Sequence, residues 1–488
     1  MKLTREDLDK VRHIEGFPIG EDEDIIALSD PPYYTACPNP FIEDFIEEHG
    51  TPYDEETDDY KREPFAADVS EGKNDPIYNA HSYHTKVPHK AIMRYILHYT
   101  EPGDIVFDGF CGTGMTGVAA QMCGNPDADL EFKYKIEKEM PGVKWGTRKA
   151  ILNDLSPAAT FIAYNYNTPV DVVEFEKEAN RILEECEEEL GWMYETNHVD
   201  ENENQIHDMT GPVKGKINYT VWSDVFICPN CGEELVFWNA AVDKETGKIR
   251  STFYCGNCSI ELGKRDCNKS IKLTFDERIG KTIELIKQVP VLANYNVGRE
   301  RFEKKPDDND MKLINEIANM EIPYWFPSNE IKHGDKTREM LNRHIKYIHQ
   351  VYTKRTLHVL SGVFEKINSV SDYEIRQSLK FMFTGAIIRL NKTNKYIPSL
   401  KIAPGPIMGT FYMPSLYPEI NALNGLHNKY KNLSRFMEIT KRNQGNNIIT
   451  TQSSNNLSNM EDNSVDYIFT DPPFGANLMY SELNMIWE

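Results

Sequence analysis

No run of apolar residues in this sequence approaches eighteen, so no segment reads as a membrane-spanning helix. The start, Met1-Lys2-Leu3-Thr4-Arg5-Glu6-Asp7, has no apolar signal core, and the expected location is the cytoplasm, with no membrane partner. Cysteine is sparse: nine in 488 residues, an odd count, four of them in two Cys-x-x-Cys pairs. In a cytoplasmic chain that pattern favours a metal over disulfides. Positive charge is also short, with 54 Lys and Arg against 76 Asp and Glu and a net charge of −22. Taken whole, that balance argues against a nucleic-acid partner. What remains, 40% hydrophobic and 11% aromatic residues, is ordinary globular composition, and the length allows two or three domains.

The charge is unevenly spread. Residues 1–60 carry 18 acidic side chains against 4 basic ones, whereas Lys332 to His358 reverses the sign. There Lys332, Lys336, Arg338, Arg343, Lys346, Lys354 and Arg355 face only Asp335 and Glu339, with Tyr347 and Tyr352 interleaved. Phosphate binding depends on local density of Lys and Arg, so this stretch permits a polyanion that the total discourages. A solvated helix face would show the same pattern. Its histidines, His333, His344, His349 and His358, read as surface groups.

Between 85 and 165 the pattern is α/β: helix over Ala91–Tyr99, buried strand over Asp104–Asp108, helix over Thr116–Cys123, strand over Ala150–Asp154. Apolar residues at helical spacing from Asp171 to Trp192 predict an amphipathic helix. A strand returns at Val465–Phe469, and Asp24–Ser29 is strand-like as well. The sheet is therefore expected to be split by a long insertion.

The first strand runs into Asp108-Gly109-Phe110-Cys111-Gly112-Thr113-Gly114-Met115-Thr116. Glycines there let backbone N–H groups approach a ligand, and the following helix N-terminus favours negative charge. Asp154, closing the next strand, is placed to accept hydrogen bonds from ribose hydroxyls. Alone, such a loop is often only a tight turn.

The returning strand ends in Asp471-Pro472-Pro473-Phe474. Two prolines stiffen the turn and remove donors, leaving carbonyl acceptors. An exocyclic amine has two N–H groups; Asp471 and the Pro472 carbonyl can accept both, drawing the nitrogen lone pair out of ring conjugation. Phe474 supplies a flat face for an extruded base.

Together, Asp108-x-Phe110-x-Gly112-x-Gly114 and Asp471-Pro472-Pro473-Phe474 resemble the amino-group DNA methyltransferases, which make N6-methyladenine or N4-methylcytosine. Tyr83-His84-Thr85-Lys86-Val87-Pro88-His89-Lys90 resembles that family's element contacting the methionine part of the donor. The resemblance implies S-adenosyl-L-methionine held by Thr85, Lys86, Asp108, Phe110, Gly112, Gly114, Thr116 and Asp154. It implies catalysis by Asp471, Pro472, Pro473 and Phe474, with DNA as substrate, and the Asp of the tetrapeptide favours adenine over cytosine. Tyr219–Asp224 and Gly409–Ser415 resemble the zinc-ribbon-bearing adenine-specific subgroup.

The expected fold is α/β. It is a Rossmann-like methyltransferase sheet interrupted by a long insertion with a zinc ribbon and a mainly helical region. The expected boundaries are 1–80 for an acidic extension, 81–170 for the donor-binding part and 171–214 for a connecting helix. The ribbon follows at 215–275, the helical DNA-recognition region at 276–445 and the catalytic return at 446–488.

Two features depart from the family. A second tetrapeptide, Asp30-Pro31-Pro32-Tyr33, competes for the catalytic role; Asp471 is preferred because few structural elements separate Asp30 from the glycine loop. The chain also stops at Glu488, so the C-terminal part of the sheet is expected to be missing: the chain reads either as truncated or as one half of a split enzyme whose complementary polypeptide supplies those strands. A restriction or phage-defence partner stays open, as do an RNA substrate and a split subunit inactive alone.

Cys228-Pro229-Asn230-Cys231 and Cys255-Gly256-Asn257-Cys258 are separated by 23 intervening residues, with strand-like segments between or beside them. That spacing can set four thiolates around a structural Zn2+ with no open position. Cys267 is a spare, and Cys37, Cys111, Cys123 and Cys186 read as small core residues.

Overall fold

The computed structural model describes residues 3–29, 36–443, 446–475 and 478–487. It divides into two compact units. The first comprises Met1–Glu176, Gln377–Phe381 and Lys431–Glu488; the second comprises Lys177–Arg376 and Met382–Tyr430.

The first unit is built on a parallel sheet with strands in the order Asn447–Thr451, Lys149–Asp154, Ile105–Asp108, Tyr467–Ile468. Ile105–Asp108 is paired on both sides and buried throughout, which explains its unbroken Ile-Val-Phe run. Because Val106 pairs with Tyr467 and Phe107 with Ile468 in parallel, the segments leaving these two strands emerge at the same edge. The glycine loop leaves one strand and Asp471 follows the other. That register brings together residues more than three hundred positions apart.

Helix Met115–Met122 presses closely on its surroundings. A Cβ at Gly117 would lie 2.5 Å from Asn167 Oδ1 and 2.7 Å from Leu152 Cδ1, so only glycine lets the helix sit this deep. The acidic N-terminal region is part of the unit: Ile42 and Ile46 of helix Ile42–His49 pack with Ile105, Phe107 and Ile151. The strand expected at Asp24–Ser29 is instead helix Asp22–Leu28. Its acidic first turn suits a helix N-terminus, and Ile25 and Ile26 pack with Leu3 and Leu8. Asp30-Pro31-Pro32-Tyr33 lies outside the described residues.

The second unit centres on the long strand Lys214–Ile227, paired antiparallel with Gln288–Val297 and Leu416–Ile420. Residues 276–304, expected largely as helix, lie instead mostly in strands: Lys281–Ile286, which pairs with Ile271–Asp276, then Gln288–Val297 and Glu300–Lys304. Alternation such as Thr282-Ile283-Glu284-Leu285 has the two-residue period of a hairpin. Helices do dominate later, with Lys354–Asn368 and Tyr373–Ile387.

Candidate active site

A cavity of about 480 Å³ opens at the sheet edge where the glycine loop and the Asp471 segment emerge. Asp108, Phe110, Gly112, Thr113 and Thr116 line it from the loop, Asp154 from the neighbouring strand, and Phe469, Asp471 and Pro473 from the returning segment. Thr85 and Lys86 complete another side. Its volume suits a nucleotide-sized ligand.

The loop geometry separates two glycines that look alike in sequence. Gly112 has φ +50°, and a Cβ there would meet nothing closer than the Tyr83 ring at 3.6 Å. Gly114 has φ +73° and does not line the cavity; its missing side chain makes room for Ala163 and Asn167, both under 3 Å from a built Cβ. One glycine shapes the wall and the other packs.

Three carboxylates surround this space. Asp108 is buried, accepts from Phe110 N at 3.1 Å and from the Thr116 hydroxyl, and is pushed up to about 7. Burial is the main cause, with the charges of Asp154 and Asp471 adding to it. Asp154 accepts from Gly112 N and Ser156 N, each at 2.9 Å; burial still raises its carboxyl. Asp471 is solvent-exposed at the cavity edge, yet partial desolvation there raises it too. Thr113 adds a buried hydroxyl with no hydrogen-bond partner among the described residues, on the cavity wall.

Residues 24–139 match the family model described as DNA methylase. That match supports the amino-group DNA methylases, enzymes that methylate base amines, and this chemistry implies S-adenosylmethionine as methyl donor. No curated protein and no solved structure matches the chain. The matched stretch contains both Asp30-Pro31-Pro32-Tyr33 and the glycine loop, and it ends before Asp154 and Asp471.

Not every expected residue faces the cavity. Pro472, Phe474 and Gly114 are absent from its lining, although Phe474 is exposed beside it in sequence. Lys86 lines the cavity, but its ammonium donates to the carbonyls of His81, at 2.7 Å, and Tyr78. It ties its own loop instead of offering a free charge. Sequence reasoning placed Tyr83 in the element before the glycine loop without singling it out, and missed Ser156, Tyr480, Ser481 and the Ser453-Ser454-Asn455 turn after strand Asn447–Thr451. Only that turn carried a signal: the β-branched run Ile448-Ile449-Thr450-Thr451, whose far end a parallel sheet exposes to ligand.

In the second unit the four cysteines converge. Sγ atoms of Cys228, Cys231, Cys255 and Cys258 lie within 4.8 Å of one another, with Cys228–Cys258 at 3.7 Å and Cys231–Cys255 at 3.6 Å. A tetrahedral zinc thiolate with bonds of about 2.3 Å requires edges of about 3.8 Å, so the set fits that ion. Cys267 is buried separately, 3.7 Å from the Gly263 carbonyl.

The basic stretch changes meaning in the fold. Arg343 makes a two-pronged pair with buried Asp224 at 2.7 and 3.0 Å. Arg355 is buried against Glu419, which also accepts from Trp222 Nε1 at 2.9 Å. Burial works against charge on Glu419, but Arg355 prevails and holds its carboxyl below the usual range. Tyr352 is buried, as are His349, bonded to Asp276 at 2.7 Å, and His358, so the expected surface histidines are partly core. Lys332, Arg338 and Lys346 remain exposed.

Proposed function

We propose that this chain is an S-adenosylmethionine-dependent DNA methyltransferase acting on adenine N6, its first unit a Rossmann-like methyltransferase sheet. One observation carries the reading: Gly112 and Thr113 share a cavity wall with Asp471 and Pro473. The donor, when bound, supplies an electrophilic methyl group on a sulfonium centre.

The residues then divide the work. The glycine loop and the unpartnered Thr113 hydroxyl offer polar contacts to the donor, and Asp154 keeps lone pairs free for ribose hydroxyls beyond the two backbone N–H groups it holds. Asp471 and the Pro472 carbonyl accept the two amine N–H groups, and exposed Phe474 stacks on the extruded base. Once the nitrogen has gained a methyl it must lose one proton. Asp471, its carboxyl raised by desolvation, is the base that accepts it. In the second unit a structural zinc on Cys228, Cys231, Cys255 and Cys258 would brace the ribbon, while Lys332, Arg338 and Lys346 meet DNA phosphates.

A second assignment has its own support. The family match encloses Asp30-Pro31-Pro32-Tyr33 and stops short of Asp471, which favours the N-terminal tetrapeptide as the amine clamp. The general test is nucleoside mass spectrometry of DNA treated with the protein and donor. N6-methyladenine is the expected product; N4-methylcytosine would overturn the base choice, and an unmodified digest would overturn the activity.

A further inference from the structure

Residues 478–487, beyond the Asp-Pro-Pro-Phe turn in sequence, meet the element before the glycine loop beside the cavity. Tyr480 and Ser481 line the cavity beside Tyr83 and Thr85, and the Thr85 hydroxyl lies 2.9 Å from the Tyr480 hydroxyl. The Tyr83 ring is stacked with Trp487 at 5.6 Å and with Tyr480 at 6.4 Å. One side chain holds this junction. Asn484 is fully buried in a chain end otherwise made of short helical turns, Tyr480–Leu483 and Asn484–Ile486.

Both N–H groups and the oxygen of its amide are engaged. Nδ2 donates to Ser156 Oγ at 2.7 Å and to the Tyr83 hydroxyl at 3.3 Å. Oδ1 lies 3.1 Å from His84 Nε2 and accepts its proton. Burial keeps His84 neutral, with a pKa lowered to about 4, so the Nε2–H tautomer is the one this bond selects. Ser156 in turn donates its N–H to Asp154 and caps helix Pro157–Asn167 through Ala159 N. Three parts of the wall therefore meet at one amide: the pre-loop element, the Asp154 turn and the segment following Asp471.

We propose that Asn484 is a positioning residue whose side chain fixes this wall, so that donor binding depends on it. The inference rests on the donor assignment above and deepens it. Asn484 touches neither the donor nor the base; it acts through Tyr83, Ser156 and His84. A side chain of equal size without polar atoms would take one partner each from the Tyr83 hydroxyl, His84 Nε2 and Ser156 Oγ, although Ser156 Oγ would keep the Ala159 N–H. Aspartate would keep the junction, because the Ser156 and Tyr83 hydroxyls can turn round and donate to a carboxylate alongside His84. It would also place a negative charge next to His84 and raise the pKa of the ring, giving binding a pH dependence that asparagine does not.

The test compares the full chain with Asn484→Leu and Asn484→Asp. Titration calorimetry with S-adenosylmethionine should show about tenfold weaker binding for Asn484→Leu and a change of about threefold or less for Asn484→Asp. Hydrogen exchange on the ligand-free proteins should be faster across 80–90 in Asn484→Leu and unchanged in strand Lys149–Asp154. The His84 ring, followed by NMR, should titrate higher in Asn484→Asp than in the parent. Unaltered exchange across 80–90 in Asn484→Leu would overturn the inference, as would Asn484→Asp binding as poorly as Asn484→Leu. If the parent binds no donor, the donor assignment fails, and exchange alone still decides whether Asn484 holds the wall. Should Asn484→Leu not fold, Tyr83→Phe removes one hydroxyl and keeps the ring stack. It should bind about three- to fivefold more weakly, and parent-like binding would overturn the proposal.

Discussion

The cavity of the first unit and the interior of the second use charge in opposite ways, although the first unit also holds matched pairs, such as Arg94 with Glu71 and Glu139. In the first, Asp108, Asp154 and Asp471 gather around a cavity with no ion-pair partner among the described residues, and each is raised by desolvation. In the second, Asp224 and Glu419 are matched with Arg343 and Arg355 inside the fold. Raised, unpaired carboxylates are a reservoir for chemistry, whereas matched pairs fix structure. A run of charge in sequence does not say which of these it is.

The sharpest way to break this contrast is to remove a matched partner. Arg355→Met should destabilise the second unit by about 3–5 kcal/mol, because Glu419 is left buried and uncompensated. Denaturant melts followed by tryptophan fluorescence would measure it, and a loss under about 1 kcal/mol would mean that the pair is idle. Removing zinc comes next. A strong chelator should expose residues 215–275 to protease before the rest, with one zinc released per chain; unchanged cleavage there would count against the cysteine site.

Asp108 tests the other side of the contrast. A carboxyl raised to about 7 favours the folded state while protonated, so its contribution is complete below pH 4 and is lost as pH climbs through 7. Asp108→Asn should therefore be more stable than the parent at pH 8, on the order of 1–3 kcal/mol, and the gap should close by pH 4. A pH-independent difference would show that Asp108 is not a strained carboxylate. The smallest effect belongs to the exposed cations: Lys332→Ala or Arg338→Ala should each lower the salt dependence of DNA binding by about one counterion without altering stability.

The same contrast explains what the sequence made legible. Strand Ile105–Asp108, the glycine loop, Asp154 and Asp471 could be read because parallel strands deliver their ends to one edge, and each end carries its own local motif. The convergence of the four cysteines could be read because two Cys-x-x-Cys turns each bring their own pair of thiols together. Arg343 and Arg355 could not: their partners stand 119 and 64 residues away, and nothing local marks Asp224 or Glu419. Asn484 was invisible for the same reason, since its partners lie more than three hundred positions off. Gly112 and Gly114 show a finer limit: the motif treats them alike, and only the packing of Ala163 and Asn167 separates them.

The catalytic assignment stands or falls on transfer of labelled methyl groups to DNA by the parent chain, Asp471→Ala and Asp30→Ala, with donor binding measured beside it. Asp471→Ala should lose transfer by about 10³-fold while still binding donor, and Asp30→Ala should keep most of its activity. Near-normal transfer by Asp471→Ala, with transfer abolished in Asp30→Ala, would place the amine clamp at the N-terminal tetrapeptide and contradict the site built on the returning strand.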